Sequence, residues 1–324
     1  MDIPKIELHC HLDGSVSETA IIDIAKKSNV LVPEQIGNQI KAPQICNDLS
    51  EYLTCFNYIL PFLQTKESLE IAAYDVIRQA HKDNVIYMEI RFAPQLHCKN
   101  GLEQIEVINA VLKGLKRGEQ DFKVKNQAIL CMMRGHDNKE NIKTLQCAKN
   151  LLGTGVCAVD LAGNEMAYPP ELYKLLFEQA VKWEIPFTIH AGECGNANNV
   201  KTAIEMGAKR IGHGVAIAGN EEIKKLCKQY NVYLEMCPVS NIQTKAISDI
   251  KNYPFVKMQK EGIKATVNTD NRSVSDTNLI REWETLKASF LEIDDEIIKI
   301  SMLHAIDGAF LSVPEKEKLK VYYT

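Results

Sequence analysis

The stretch Val156–His190 reads VCAVDLAGNEMAYPPELYKLLFEQAVKWEIPFTIH and holds one complete unit of an architecture. Val156 to Ala162 is a short β-branched and aliphatic run, closed by turn residues at Gly163 and Asn164. Pro170 to Trp183 then brings apolar residues back at spacings of three and four, through Leu172, Leu175, Leu176 and Ala180, which is a helical period. A second apolar run, Phe187 to His190, follows directly. Strand, turn, helix and strand in that order predict two parallel strands joined by a right-handed crossover.

The same alternation extends outward in both directions. Further strands are expected at Lys5 to His9, Val85 to Phe92, Gln127 to Met133, Arg210 to His213, Val232 to Met236 and Lys264 to Asn268, which with the first two makes eight. Eight such units close a (β/α)8 barrel of the TIM type. A doubly wound sheet is the rival, but it predicts a phosphate loop, and neither G-x-G-x-x-G nor G-x-x-x-x-G-K-[ST] occurs. No fixed-period repeat, low-complexity tract or long Pro/Gly/Ser linker divides the 324 residues, so one barrel domain over 1–324 is expected. Two segments depart from the alternation. Residues 31–68, after the first strand, form a long insertion containing Tyr52, Phe56, Tyr58, Ile59, Leu60, Phe62 and Leu63. It reads either as core beneath a surface helix or as a helical lid over the barrel mouth, where loops after the strands build the site. Asp294 to Leu311 reads as a packing helix.

Composition removes several function classes. With 45% hydrophobic and 25% charged residues, the chain is neither disordered nor a coiled coil. Apolar stretches such as Ala20 to Ala25 fall far short of the ~20 residues of a membrane span. The opening Met1-Asp2-Ile3-Pro4-Lys5-Ile6-Glu7 lacks the basic and apolar regions of a secretory signal, so a cytoplasmic protein is expected. A net charge of −4 without any basic block argues against nucleic-acid binding. Ten scattered cysteines without a C-x-x-C pair exclude zinc ribbons, thioredoxin-type redox sites and the cysteine-ligated zinc of cytidine-type deaminases.

Ligand-type side chains cluster where the expected strands end. His9 and His11 flank Cys10, and positions two apart on a strand face the same side. His190 ends the fifth strand, His213 the sixth, and Asp270 follows the eighth. In a barrel these ends converge on one pocket, and three histidines with a carboxylate suit Zn²⁺ or another borderline divalent ion. Glu193 lies three residues beyond His190, past Gly192.

Six strings, taken together and in order, resemble the adenosine deaminase family within the metal-dependent amidohydrolase superfamily. They are Glu7-Leu8-His9-Cys10-His11-Leu12-Asp13-Gly14, Asp160-Leu161-Ala162-Gly163-Asn164-Glu165, His190-Ala191-Gly192-Glu193, Gly212-His213-Gly214, Cys237-Pro238-Val239-Ser240-Asn241 and Asn268-Thr269-Asp270. The resemblance implies a (β/α)8 barrel carrying one zinc on His9, His11, His190 and Asp270. It implies Glu193 as proton donor to purine N1, His213 beside the attacking water, and Asp270 as a second catalytic group. Asp13 is expected to hold ribose hydroxyls, with His11 also touching substrate, and the Gly163 backbone is expected to meet purine N3. The run Phe56 to Leu63 is similar to the family's hydrophobic gate. The implied reaction is hydrolytic deamination of adenosine and 2′-deoxyadenosine to inosine and 2′-deoxyinosine with release of ammonia.

One position departs from the family pattern. Many members carry a second aspartate after the metal-binding one, and this chain has Asn271. That side chain meets purine N7, an acceptor, for which an asparagine amide is a donor at every pH. Outside these motifs, His81, His97, His136 and His304 read as surface or hydrogen-bonded structural histidines. Cys10 should face away from the metal, Cys194 reads as structural, and Pro238-Val239-Ser240-Asn241 reads equally as a mere turn.

Overall fold

The computed structural model describes residues 3–323. Its strands are β1 (Lys5–His11), β2 (Val85–Phe92), β3 (Lys125–Met133), β4 (Val156–Ala162), β5 (Thr188–Ala191), β6 (Arg210–His213), β7 (Tyr233–Met236) and β8 (Lys264–Val267). All eight expected strands are present, with ends displaced by one or two residues. They form two parallel sheets, β1-β2-β3-β4 and β5-β6-β7-β8. A single bridge spans each seam, Val159 to Phe187 on one side and Cys10 to Asp270 on the other. At the second seam the His11 amide donates to the Asp270 carbonyl at 2.7 Å, and the Asp270 amide to the His9 carbonyl at 2.9 Å. Thus the backbone that closes the ring also sets three of the expected metal ligands side by side.

The helices between strands are α1 (Glu18–Ser28), α2 (Ile36–Gln39), α3 (Leu49–Leu53), α4 (Phe56–Ile59), α5 (Lys66–Lys82), α6 (Gln104–Phe122), α7 (Asn138–Leu151) and α8 (Lys174–Lys182). They continue with α9 (Ala197–Glu205), α10 (Glu221–Gln229), α11 (Pro238–Gln243), α12 (Phe255–Lys260), α13 (Leu279–Ser289), α14 (Asp295–Gly308) and α15 (Val313–Lys320). The expected C-terminal packing helix is α14, capped by Asp294, whose side chain accepts from the Ile297 amide. In α8 the buried residues are Leu176, Phe177 and Ala180, whereas Leu172 and Leu175 face solvent. A 3-10 turn at Pro170–Tyr173 precedes this helix and shifts its phase relative to a continuous α-period.

Helices cover the outside of the strands, as a parallel sheet requires. The inside is filled by charge. Arg91 on β2 reaches Asp160 on β4 at 2.8 Å and Glu235 on β7 at 2.6 Å, and Arg210 on β6 reaches Glu235 at 2.6 Å and Glu89 at 2.5 Å. All five side chains are fully buried. Removing one partner of such a pair costs about 3–5 kcal/mol, because the other charge is left unpaired in a low-dielectric interior.

The insertion after β1 contributes side chains both to the core and to the cavity wall. Ile59 and Leu63 are core, while Leu53, Phe56 and Leu60 line the cavity at the barrel mouth. It is tied down by the Ala42 amide on the Val274 carbonyl, the Cys46 amide on the Gln243 carbonyl, and a 2.6 Å hydroxyl contact between Tyr52 and Ser275.

Candidate active site

The strand ends converge as expected. In one buried group, His9, His190, His213 and Asp270 each offer a ligand atom, all within 4.8 Å of one another. His11 joins this group from the cavity side: its Nε2 stands 3.1 Å from His190 Nε2 and 3.4 Å from Asp270 Oδ1. Two of these residues, His213 and Asp270, adopt left-handed backbone conformations with φ of 63° and 60°. Such conformations are uncommon outside glycine, and they concentrate where a fold holds side chains for function.

Hydrogen bonding sorts the imidazoles. His9 Nδ1 is 2.8 Å from Glu235 Oε2, and His190 Nδ1 is 2.9 Å from Asp160 Oδ2. Burial works to raise both carboxyls, but it is outweighed by Arg91 together with Arg210 at Glu235 and His190 at Asp160, so both stay ionised. An ionised carboxylate only accepts, so the His9 Nδ1–H donates to Glu235, and the Asp160 charge beside His190 Nδ1 favours the proton on that nitrogen too, which leaves the lone pair of each neutral ring on Nε2. His9 Nε2 is accordingly buried without a hydrogen-bond partner. An orphaned ring nitrogen beside a second imidazole lone pair and a carboxylate is the donor set of a divalent metal such as zinc, so these residues fit the ion.

His213 is oriented the other way. The Tyr253 hydroxyl donates to Asn241 Oδ1 at 2.9 Å, so Asn241 Nδ2 donates to His213 Nδ1 at 3.0 Å. Burial holds the ring well below its ordinary pKa and therefore neutral, which leaves its single proton on Nε2. That N–H points into the cavity, 3.5 Å from Glu193 Oε2. Although it lies within the same cluster, His213 is thus a hydrogen-bond donor rather than a lone pair aimed at an ion.

The carboxyls divide in the same manner. Burial raises Asp270, but His9, His213 and His11 outweigh it and hold it well below the usual range, and Ser240 Oγ donates to its Oδ2 at 2.6 Å. Burial, reinforced by the Asp270 and Glu165 carboxylates, pushes Glu193 well up. Surroundings therefore push two carboxyl groups that line the same cavity in opposite directions, as acid–base chemistry requires. Burial also lifts Asp13 to about 6.

Above this floor lies a cavity of about 250 Å³ with His11, Asp13, Glu193 and Asn271 on its polar side. Leu49, Tyr52, Leu53, Phe56 and Leu60 close its apolar side, and Gly163 borders it from the β4 loop. All the sequence-derived site residues, His9 included as the buried ring beneath the floor, thus belong to one constellation. The alternative that Pro238 to Asn241 is only a turn fails: it opens α11, and Ser240 and Asn241 hold Asp270 and His213. Asp160, Glu235 and Glu165 touch His190, His9 and the Glu193 backbone, and the sequence reading left them without a role. Their signal was a charged residue inside or just beyond an apolar strand run.

Cys10 lies apart from the histidine cluster, with Sγ 3.3 Å from Ser15 Oγ. His81 and His136 are exposed and His304 is half-buried. His97 differs: it is fully buried, with Nδ1 2.9 Å from the Leu63 carbonyl and Nε2 4.0 Å from Asp13 Oδ2.

A ring of parallel strands whose ends bring imidazoles and two carboxyl groups to one cavity is the (β/α)8 arrangement of the TIM type, with its site at the strand ends. The adenosine deaminase family model matches residues 4–322. An adenosine deaminase of Enterococcus faecalis is 46% identical over 321 residues, covering 98% of this chain and 95% of the relative. One of Clostridium perfringens is 41% identical over 326 residues, with 99% and 98% covered. The chain belongs to the adenosine deaminase family, hydrolases that act on C–N bonds. Among solved structures, an adenine deaminase of Arthrobacter aurescens shares the fold with a TM-score of 0.89 at 23% identity, covering 99% of this chain and 98% of its own. An amidohydrolase of Burkholderia ambifaria with bound Zn gives 0.89 at 23% identity, with 99% and 89% covered. An Arabidopsis protein complexed with GMP gives 0.87 at 24%, with 99% and 96% covered.

Proposed function

We propose that this chain is a zinc-dependent enzyme that hydrolyses adenosine and 2′-deoxyadenosine to inosine and 2′-deoxyinosine, releasing ammonia. The observation that carries the reading is the division of proton states in the cluster. His9 and His190 present lone pairs, His213 presents an N–H, Asp270 is ionised, and Glu193 is driven toward the neutral acid. In this reading His9, His11, His190 and Asp270 hold one zinc. A bound zinc lowers the pKa of water from ~15.7 toward ~7, so a nucleophile is available at neutral pH.

The chain's own groups do the rest. Asp270 accepts the proton of the attacking water, and the His213 N–H donates to the attacking oxygen. Glu193 delivers its proton to N1 as the oxygen adds to C6, which relieves the charge driven into the ring. The C6–N bond then breaks and the amino group leaves as ammonia, carrying the proton that Asp270 took up, while the proton still on the added oxygen passes to the Glu193 carboxylate as the C6 carbonyl forms, which restores the acid. Asn271 donates to N7, the Gly163 backbone meets N3, and Asp13, with His11, binds the ribose hydroxyls.

Substrate choice follows from the cavity's charge. None of its lining residues is Lys or Arg, and with Asp13 on the ribose a 5′-phosphate would meet a carboxyl group rather than a cation. This supports a nucleoside over a nucleotide, and the 5′ side that Asp13 meets is common to adenosine and its 2′-deoxy form. The chain is read as one barrel domain over 1–324, with residues 31–68 as its lid. It is also read as cytoplasmic, which its ten free cysteines support, since an oxidising compartment would pair them. No helix among the described residues is long and apolar enough to cross a membrane.

Purified protein with measured zinc, offered adenosine, 2′-deoxyadenosine, adenine and AMP, tests this reading by the loss of ultraviolet absorbance. Turnover of the two nucleosides well above adenine and AMP is expected. Preference for adenine or AMP would overturn the substrate assignment, and no ammonia release from zinc-loaded protein would overturn the activity.

A further inference from the structure

Glu165 lies three residues beyond β4 and is 1% exposed. Its Oε1 accepts from the Gly192 amide at 2.6 Å and from Asn199 Nδ2 at 2.7 Å. Its Oε2 accepts from the Glu193 amide at 3.0 Å and from the Cys194 amide at 3.1 Å. Three successive backbone N–H groups thus converge on one carboxylate, the arrangement by which a short turn binds an anion. Here the anion comes from the neighbouring loop of the same chain. The turn also needs its glycine: Gly192 has φ +75°, and a Cβ there would stand 2.7 Å from Val200 Cγ2.

The middle N–H of the three belongs to Glu193, whose side chain enters the cavity. The Glu165 carboxylate therefore grips the backbone on both sides of the side chain that carries the proton. The same strand end is held by Arg134, the residue after β3, whose Nη2 donates to the His190 carbonyl at 2.6 Å. That contact fixes the end of β5, the Ala216 amide holds the Gly192 carbonyl at 3.0 Å, and the three amides of the turn are left to Glu165.

We propose that Glu165 is a positioning residue for the deamination, its carboxylate shaping the Gly192-Glu193-Cys194 turn so that Glu193 reaches the purine. The proposal rests on Glu193 being the N1 donor. Removal of the charge gives the three amides a neutral partner, and an amide oxygen with one NH2 arm cannot accept all four bonds. The turn relaxes, while the zinc ligands and the faces that bind the nucleoside stay in place.

The test is a double-mutant cycle on the zinc-loaded protein with Glu165→Gln, Glu193→Gln and the pair. Glu165→Gln is expected to keep stoichiometric zinc and a KM within about threefold, to lose ~10²-fold or more in kcat, within the ~10²–10⁴ attributed to general acid catalysis, and to exchange the amides of residues 192–194 faster. Because it acts through Glu193, the double variant should be no slower than Glu193→Gln alone. Losses that multiply, a kcat within a few-fold of the parent, or loss of zinc with Glu165→Gln would each overturn the proposal. If Glu193→Gln itself turns over adenosine normally, the donor assignment fails instead, and the cycle separates the two outcomes. Should Glu165→Gln not fold, the same cycle on Glu165→Asp, which keeps the charge but draws it back by one methylene, decides the matter.

Discussion

Gly14 is the seat of the Asn271 amide: a Cβ added to Gly14 would fall 1.8 Å from Asn271 Oδ1 and 2.6 Å from its Cγ. Gly14 has no positive φ, so its backbone accommodates alanine and the conflict lies wholly with the neighbouring side chain. Gly14→Ala should displace Asn271 from the cavity and weaken nucleoside binding by about 1–3 kcal/mol, the cost of an unpaired polar partner. Steady-state kinetics with zinc analysis checks this. An unchanged KM would show that the amide does not contact substrate.

Asn271 itself gives a pH test. Asn271→Asp replaces a permanent donor with a carboxyl that donates to N7 only when protonated. Its neutral form declines as pH rises through its pKa, so nucleoside binding should be strongest at low pH and weaken as pH rises, relative to the parent. Identical pH profiles for the two proteins would remove the N7 contact. Asn271→Leu, which neither donates nor accepts, should lose about 1–3 kcal/mol of binding at every pH.

His213 lies in the same cluster as His9 and His190, yet its tautomer sets it apart. Replacing His9, His11 or His190 with Ala should release zinc along with activity. His213→Ala should keep zinc and lose turnover, because it removes a hydrogen bond to the attacking oxygen. Asp270→Asn should lose turnover while retaining much of the metal. Metal analysis beside kinetics decides, and a His213→Ala protein stripped of zinc would make that ring a ligand.

The fold and the histidine–aspartate cluster were legible because both are written in local pattern. Strands such as Val85–Phe92 and Val156–Ala162 are mostly aliphatic and aromatic runs between turn signals, and the histidines and Asp270 sit at or just beyond strand ends. What was not legible depends on which strands meet across the barrel. Glu235 stands out as a charge within the run Val232 to Met236, but its partners lie 226 residues away at His9, 144 at Arg91 and 25 at Arg210. Only the closed ring brings these together. Leu172 and Leu175 illustrate the opposite limit. Their spacing correctly signals helix, but the turn at Pro170–Tyr173 rephases α8, and spacing carries no record of that.

Glu282 offers a test of stability away from the metal. It is fully buried on α13, where it accepts from the Val239 amide at 3.0 Å and the Thr277 hydroxyl at 2.8 Å, and burial raises its carboxyl to about 8 from 4.5. The folded chain therefore holds this proton more tightly than the unfolded chain. The resulting stability is fully present below the unfolded pKa near 4.5 and is lost as pH rises through about 8. Glu282→Gln keeps an acceptor for Val239 and an NH2 that Thr277 can accept, but it has nothing to titrate. Relative to the parent, it should be near neutral in effect at pH 5 and stabilising by on the order of a few kcal/mol at pH 9. Urea unfolding at the two pH values, with zinc held constant, measures the difference. Parallel pH dependence in the two proteins would mean that Glu282 carries no bound proton in the fold.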